Sequence, residues 1–302
     1  MSEKVIETTG LTFYYGRQRG IKDVNLTVEK GEAFGFLGPN GAGKTTTQRV
    51  LLDVIRPTAG RATIFGLDSH TQGVELRRRV GYLPGELALY KDMKTDRFFE
   101  MFEYLRGANG AKGYWRELAD RLDLDTGRKI GKLSRGNKQK VGVVAAFMNR
   151  PDLLILDEPT GGLDPLVQQT VMDMVREVKA DGRTIFFSSH ILPEVQAVCD
   201  RVGIIRQGEL VATQRVEELI AARLNRLTMI FTDLPPAGTF DLPGVTETAR
   251  TDRGITLEVR ENLPQVLAAA AQYNVQDIET HNVSLEEIFL DFYGKGNGAN
   301  NG

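Results

Sequence analysis

The stretch AFGFLGPNGAGKTT, from Ala33 to Thr46, decides the fold of this chain. Its first part, residues 33–37, is largely apolar and predicts a short buried strand. The glycines that follow allow successive backbone N–H groups to converge on phosphate oxygens, an approach that side chains would block. Lys44 is placed to reach the β- and γ-phosphates of a nucleotide, and the Thr45 hydroxyl is placed to bind Mg²⁺. The stretch therefore predicts a phosphate-binding loop.

A helix is predicted to follow this loop, starting at Thr46 and stopping before Pro57. Its apolar face consists of Val50, Leu51, Val54 and Ile55. The positive end of the helix dipole adds to the phosphate site. A glycine-rich turn with an accidental lysine would leave the strand and the helix unexplained. The predicted nucleotide-binding residues are Gly38, Pro39, Asn40, Gly41, Ala42, Gly43, Lys44, Thr45 and Thr46.

The composition restricts the class of protein. The chain has 302 residues with 38 basic and 40 acidic side chains, so no basic face is indicated and nucleic acid is not the expected partner. The single cysteine, Cys199, excludes an intramolecular disulfide and fits a small core residue in a reducing compartment. We find neither a secretory signal nor an apolar run of about 18 residues. We expect a soluble protein that can dock onto a membrane protein.

A second informative stretch runs from Leu133 to Asp164 and begins LSRGNKQK. A polar turn opens a helix there, and an apolar run, residues 153–156, later leads directly into Asp157 and Glu158. Two carboxylates at the end of a buried strand need a partner, because unpaired buried charge is costly. A bound cation and a water to be deprotonated would supply that partner.

The pattern along the chain predicts several units. Strands and helices alternate from residue 153 to 219, which indicates a mainly parallel sheet with helices on its faces. The start of the chain is β-rich, whereas residues 86–149 are largely helical. The apolar residues at helical spacing in that segment include Phe98, Met101, Phe102 and Leu105. We predict one domain over residues 1–219.

Residues 220–293 predict a small α+β domain without a catalytic constellation. Its last helix is expected to open at Ser284, with Glu287 completing a capping box. The tail, residues 294–302, has almost nothing to bury and is predicted to be disordered.

Together these motifs carry a family resemblance. A Walker A loop, a signature-like LSRGN, a Walker B strand LLILD followed by Glu158, a GGLD turn and Ser189-His190 occur in that order. Residues from about Val5 to Leu219 resemble the ATP-binding subunit of an ABC transporter. The C-terminal unit, ending SLEEIFLDFYG, is similar to the extension on ATPase subunits of ABC-2-type exporters, which include drug, antibiotic and sodium exporters. The resemblance implies an α/β P-loop NTPase fold with an ABC-ATPase domain.

The resemblance also implies roles for single residues. Tyr15 matches the aromatic residue that stacks on adenine, although it equally fits an ordinary strand aromatic. Asp157 would hold Mg²⁺, directly or through water, and Glu158 would act as general base on the attacking water. His190 matches the switch histidine that contacts the γ-phosphate. Lys44 completes the catalytic set.

Three further residues correspond to motifs that act across a dimer in this family. Ser134 and Gly136 match the signature, which contacts the γ-phosphate bound to the other subunit. The physical basis is again a helix N-terminus directed at an anion. Asp164 matches the D-loop at the dimer interface, and it also fits a helix N-cap before Pro165.

Two segments depart from the family pattern. The family usually has glutamine after the proline of GYLPQ, where it senses Mg²⁺ and the γ-phosphate and links to the membrane subunit. Gly85 takes that position here and has no side chain, so either Glu86 substitutes as a metal ligand or the contact is missing. The signature is LSRGN where the family has LSGGQ, but Ser134 and Gly136 remain.

The sequence thus predicts an ATPase that uses ATP and Mg²⁺, homodimerises around two ATP molecules and drives a separate membrane permease. Its expected location is the cytoplasmic face of the membrane, where the permease holds it. The alternative is a soluble ABC-type ATPase of translation, DNA repair or cluster assembly. Such proteins usually carry two ATPase units or long coiled coils, which this chain lacks. A GTPase switch would leave LSRGN, Glu158 and His190 unexplained.

Overall fold

The computed structural model describes residues 3–106, 111–221 and 225–281. The chain divides into two compact units, Met1–Val216 and Glu217–Gly302. The predicted helix from Ser284 and the predicted disordered tail lie outside the described residues.

Two sheets form the frame of the first unit. Its strands are β1 (Lys4–Tyr15), β2 (Gln18–Glu29), β3 (Ala33–Leu37), β4 (Ala59–Ile64), β5 (Leu67–Asp68), β6 (Val80–Leu83), β7 (Leu153–Asp157), β8 (Thr184–Ser189), β9 (Arg201–Arg206) and β10 (Glu209–Arg215). One sheet is antiparallel and has the order β2-β1-β4-β5. The other has the order β10-β9-β3-β8-β7-β6, and only its β10–β9 pair is antiparallel.

The helices of the first unit lie around these sheets. They are α1 (Lys44–Leu51), α2 (Gly73–Arg78), α3 (Thr95–Arg106), α4 (Tyr114–Arg121), α5 (Arg135–Phe147), α6 (Pro165–Ala180) and α7 (Leu192–Val198), with a 3₁₀ turn at Ile130–Lys132. A further helix, α8 (Val216–Ala221), begins at the division between the units. None of the helices in the described part of the chain combines the length and apolar composition that crossing a membrane requires.

The central strands β3 and β7 are buried along their whole length. Their nearly continuous apolar sequences are typical of parallel strands that are covered on both faces. Phe186 of β8 stacks on Phe34 and makes a tilted ring contact with Phe36 in the core that these strands share. Because β3, β7 and β8 are parallel neighbours, their carboxyl ends meet at one edge of the sheet.

Two expectations for helices are wrong. Helix α1 ends at Leu51, because Asp53 adopts a left-handed φ of 54° that an α-helix does not accommodate. Val54 is consequently 59% exposed and does not extend the apolar face. In α3, Leu105 is 70% exposed, whereas Phe99 is fully buried. The buried face of α3 is therefore rotated toward Phe98 and Phe99.

The second unit is built on an antiparallel sheet. Its elements are β11 (Asn225–Phe231), β12 (Val245–Arg250), β13 (Gly254–Val259), α9 (Leu263–Ala270) and β14 (Val275–His281), with the strand order β12-β13-β11-β14. Val266 and Ala270 of α9 belong to its buried core, together with Met229 and Ile255 of the sheet. The sequence did not predict β12, because its side chains are largely exposed and show no apolar alternation.

Candidate functional site

The phosphate-binding loop joins β3 to α1 at the carboxyl edge of the parallel sheet. Gly43 has a φ of 110°, and a Cβ there would lie 2.8 Å from Cγ2 of Ile21, so only glycine fits this turn. The Lys44 ammonium donates to the carbonyl oxygens of Gly38 and Pro39 at 2.7 and 3.3 Å. Lys44 is only 5% exposed. The loop therefore holds a buried cation at the start of a helix.

Asp157, at the end of β7, accepts two hydroxyl hydrogen bonds. Thr45 Oγ1 donates to its Oδ2 at 2.6 Å, and Ser188 Oγ donates to its Oδ1 at 2.5 Å. The residue is 1% exposed. A hydroxyl and a carboxylate in contact offer the hard oxygen ligands that Mg²⁺ prefers. The donor set therefore fits the predicted metal.

Glu158 lies next to Asp157 in a strained backbone conformation, with a φ of 50°. Its Oε1 lies 3.1 Å from Nδ1 of His190 and 3.4 Å from Nζ of Lys44. The Glu158 N–H donates to the carbonyl of Ser188 at 3.1 Å, which ties the two strand ends together. The structure thus brings all three predicted catalytic side chains into one group.

A cavity of about 270 Å³ opens beside this group. Its walls include Tyr15, Gln18, Asn40, Gly41, Gly43, Lys44, Thr45, Thr46 and Glu158. The Tyr15 hydroxyl lies 3.4 Å from Oγ1 of Thr46, and the Tyr15 ring meets Phe13 edge-on. Tyr15 therefore stands at the mouth of the loop, with 46% of its surface exposed.

The signature residues begin α5, and they are not among the residues that line this cavity. The Ser134 side chain caps the helix by accepting from the N–H of Asn137 at 3.2 Å. A Cβ on Gly136 would lie 3.1 Å from the carbonyl oxygen of Gly162. Asp164 caps α6 in the same way, accepting from the N–H of Val167 at 3.1 Å.

The backbone of the segment after β6 lies close to the Asp157 carboxylate. A Cβ on Gly85 would lie 2.9 Å from Oδ2 of Asp157. Glu86 extends into solvent instead: its side chain is 93% exposed, and its Oε2 lies 3.9 Å from Nη2 of Arg49. The structure therefore does not bring Glu86 into the group formed by Thr45 and Asp157.

Sequence reasoning missed several residues of the site. Ser188 bonds Asp157, and the Gln139 amide donates to the carbonyls of Glu158 and Pro159 at 3.4 and 3.3 Å. Tyr82 is a further residue that sequence reasoning missed. The burial of its phenol, and secondarily the negative charge of Asp157, raise the pKa of Tyr82 to about 12, so the phenol stays neutral. The serine pair that ends the apolar strand β8 was a usable signal, because buried hydroxyls need partners.

The fold and the site together define a P-loop nucleotide-binding ATPase domain. A family model described as ABC transporter matches residues 21–161. An uncharacterized ABC transporter ATP-binding protein of Nostoc sp. is 40% identical over 67% of this chain. The chain spans only 62% of that relative's length. The daunorubicin resistance ATP-binding protein DrrA3 of Streptomyces coeruleorubidus is 32% identical, and the match covers 97% of both chains.

A solved structure described as the ATP-binding subunit of an ABC transporter is also similar. It has a TM-score of 0.66 and 29% identity, and the match covers 71% of this chain and 91% of that one. The chain therefore belongs to the ABC transporter family of ATP-binding proteins. It is an ATPase of that family, and the predicted P-loop fold is confirmed.

Proposed function

We propose that this chain is the ATPase subunit of an ABC-2-type exporter, acting as an ATP-dependent homodimer that drives a separate membrane permease. The observation that carries the proposal is the convergence of Lys44, Asp157, Glu158 and His190 on the phosphate-binding loop. Such a group of one ammonium, two carboxylates and an imidazole suits phosphoryl transfer to water.

In this proposal the loop binds the triphosphate of ATP. Backbone N–H groups of the glycine-rich loop between Asn40 and Thr46, together with the N-terminus of α1, would face the phosphate oxygens. The Lys44 ammonium, now hydrogen bonded to loop carbonyls, is within reach of the β- and γ-phosphates. Tyr15, at the mouth of the cavity, stacks on the base.

Thr45 and Asp157 would hold Mg²⁺ together with phosphate oxygens and water. Within the described residues no group of three or more acidic, histidine or cysteine side chains is placed to hold a metal. Mg²⁺ commonly takes one or two protein ligands and keeps several waters, so a hydroxyl and one carboxylate are sufficient. Bound there, the ion neutralises charge that develops on the phosphates. Glu86 is not used, since its carboxylate faces solvent.

Glu158 is the general base of the proposed reaction. Its carboxylate takes a proton from the water that attacks the γ-phosphorus, a contribution of about 10²–10⁴ in rate. His190, 3.1 Å from that carboxylate, orients Glu158 and contacts the γ-phosphate. Glu158 directly follows β7 with a left-handed φ, and its carboxylate lies 3.4 Å from the Lys44 ammonium of the loop.

The signature and the D-loop serve the nucleotide of a second copy. Ser134 and Gly136 lie at the N-terminus of α5, an anion-binding position. Neither residue lines the cavity beside Lys44 of the same chain. Two copies arranged face to face would place each α5 N-terminus against the other copy's γ-phosphate. One chain alone is then expected to hydrolyse ATP poorly.

Export is supported by a relative whose match covers 97% of both chains and whose name assigns it to daunorubicin resistance. The protein would lie at the cytoplasmic face of the membrane, held there by the permease.

Replacing Glu158 with glutamine tests the catalytic part of the proposed function. We expect the Glu158→Gln variant to bind ATP with a Kd within about twofold of wild type and to lose at least about 100-fold in hydrolysis. Near-normal hydrolysis would remove Glu158 from its assigned role.

Co-purification tests the transport part. We expect a multi-span membrane protein to purify with this chain in stoichiometric amount from detergent-solubilised membranes of the native host. A chain recovered alone, with no membrane-bound fraction, would favour the soluble ABC-type ATPase.

A further inference from the structure

One carboxylate outside the predicted site joins the two segments that carry the catalytic pair. The Thr160 hydroxyl donates to Oε1 of Glu194 at 2.5 Å, and the Ser189 hydroxyl donates to Oε2 at 2.6 Å. Thr160 follows Glu158 by two positions, and Ser189 directly precedes His190. A single side chain on α7 therefore bridges the segment after β7 and the segment after β8.

Both bridged hydroxyls are buried. Thr160 is 3% exposed and Ser189 is 1% exposed, whereas Glu194 itself is half-buried. Ser189 Oγ also accepts the N–H of Ile191 at 2.9 Å, which closes a tight turn around His190. Buried hydroxyls without partners are costly, so the carboxylate fixes both segments relative to each other.

The helix that carries Glu194 is itself held firmly. A Cβ on Gly35 of β3 would lie 2.6 Å from Cγ1 of Val195 and 3.2 Å from Sγ of Cys199, so α7 packs directly on the strand backbone. Val195 is fully buried. Because β3 runs into the phosphate-binding loop, Glu194 is anchored to the same strand that positions Lys44.

We propose that Glu194 is a positioning residue, which holds Glu158 and His190 in register with the phosphate-binding loop through its bridge between Thr160 and Ser189. It is not among the residues that line the cavity beside Lys44, and it acts through the 3.1 Å contact between Nδ1 of His190 and Oε1 of Glu158. The inference rests on the proposed function only in treating that pair as catalytic. The bridge itself is a property of the fold.

Glu194 acts through its hydrogen bonds to Thr160 and Ser189 and not through its negative charge. A glutamine offers one acceptor and one donor at the same positions, and each hydroxyl can donate or accept. Glu194→Gln should therefore keep the bridge, whereas Glu194→Ala removes it. A misplacement of about 1 Å can cost on the order of 100-fold in rate.

Steady-state kinetics on the full chain provide the first test. We expect Glu194→Ala to lower kcat by about 10- to 100-fold with the Kd for ATP within about twofold, and Glu194→Gln to stay within about threefold of wild-type kcat. Glu75→Ala, at an exposed carboxylate of α2, is the matched control and should match wild type. Wild-type kcat in Glu194→Ala would overturn the proposal, as would equal losses in the alanine and glutamine variants.

The second test does not depend on hydrolysis. The chain has three histidines, so the ring signal of His190 is assignable in a ¹H–¹³C NMR spectrum through its loss in His190→Gln. We expect Glu194→Ala to move the His190 signal toward its position in Glu158→Gln, while Glu75→Ala leaves it in place. An unmoved His190 signal in Glu194→Ala would overturn the positioning role of Glu194. Failure of the proposed function would instead show as normal hydrolysis by Glu158→Gln.

Discussion

At the scale of the residue, the site depends on short contacts around one carboxylate. Asp157 bonds Thr45 and Ser188 and faces the backbone of Gly85. The resemblance identified position 85 as a departure from the family, where a glutamine is usual. The structure supplies a physical reason for glycine here, because a Cβ would meet Oδ2 of Asp157 at 2.9 Å.

Replacing this glycine should therefore be costly. We expect Gly85→Ala to lower the free energy of unfolding by about 1–3 kcal/mol, because the added methyl overpacks against a carboxylate that Thr45 already holds. Urea denaturation measures the change. Gly127→Ala is the control, since a Cβ there meets Oδ1 of Asp125 at an ordinary 3.4 Å, and it should change stability by less than about 0.5 kcal/mol. Equal free energies of unfolding for Gly85→Ala and Gly127→Ala would contradict the predicted clash between a Cβ at position 85 and Asp157.

At the scale of the element, continuous apolar runs were predictable and helix ends were not. Strands β3 and β7 were identified because uninterrupted apolar sequence is typical of buried parallel strands. The end of α1 was misplaced because Asp53 adopts a left-handed conformation that no local sequence pattern required. The alternation of strands and helices predicted the parallel sheet, whereas the contact between Glu158 and His190 follows from the observed pairing of β7 with β8.

Helix α3 offers a test of which residues form a buried helix face. Phe99 is fully buried and packs on Trp115 with ring centroids 5.3 Å apart, whereas Leu105 is 70% exposed. We expect Phe99→Ala to cost about 3–5 kcal/mol of unfolding free energy. Leu105→Ala should cost less than about 0.5 kcal/mol. Chemical denaturation measures both changes, and a loss in Leu105→Ala as large as that in Phe99→Ala would contradict the exposed position of Leu105.

At the scale of the whole molecule, the proposed dimer would divide the nucleotide site into two half-sites on each chain. Lys44, Asp157 and Glu158 gather around the chain's own phosphate-binding loop, whereas Ser134 begins a helix that does not line that cavity. The proposed dimer explains this division, because each signature helix then completes the partner's site. It also makes ATP itself part of the interface, so association should depend on the nucleotide.

The most direct test of this account is the mass of the Glu158→Gln variant with ATP, measured by light scattering during size-exclusion chromatography. Slow hydrolysis in this variant should trap the dimer, at twice the monomer mass of 33.5 kDa. The same variant with ADP, and the Lys44→Ala, Glu158→Gln double variant with ATP, should elute as monomers. A Glu158→Gln chain that binds ATP and remains monomeric would contradict the composite site, as would a dimer that forms equally with ADP.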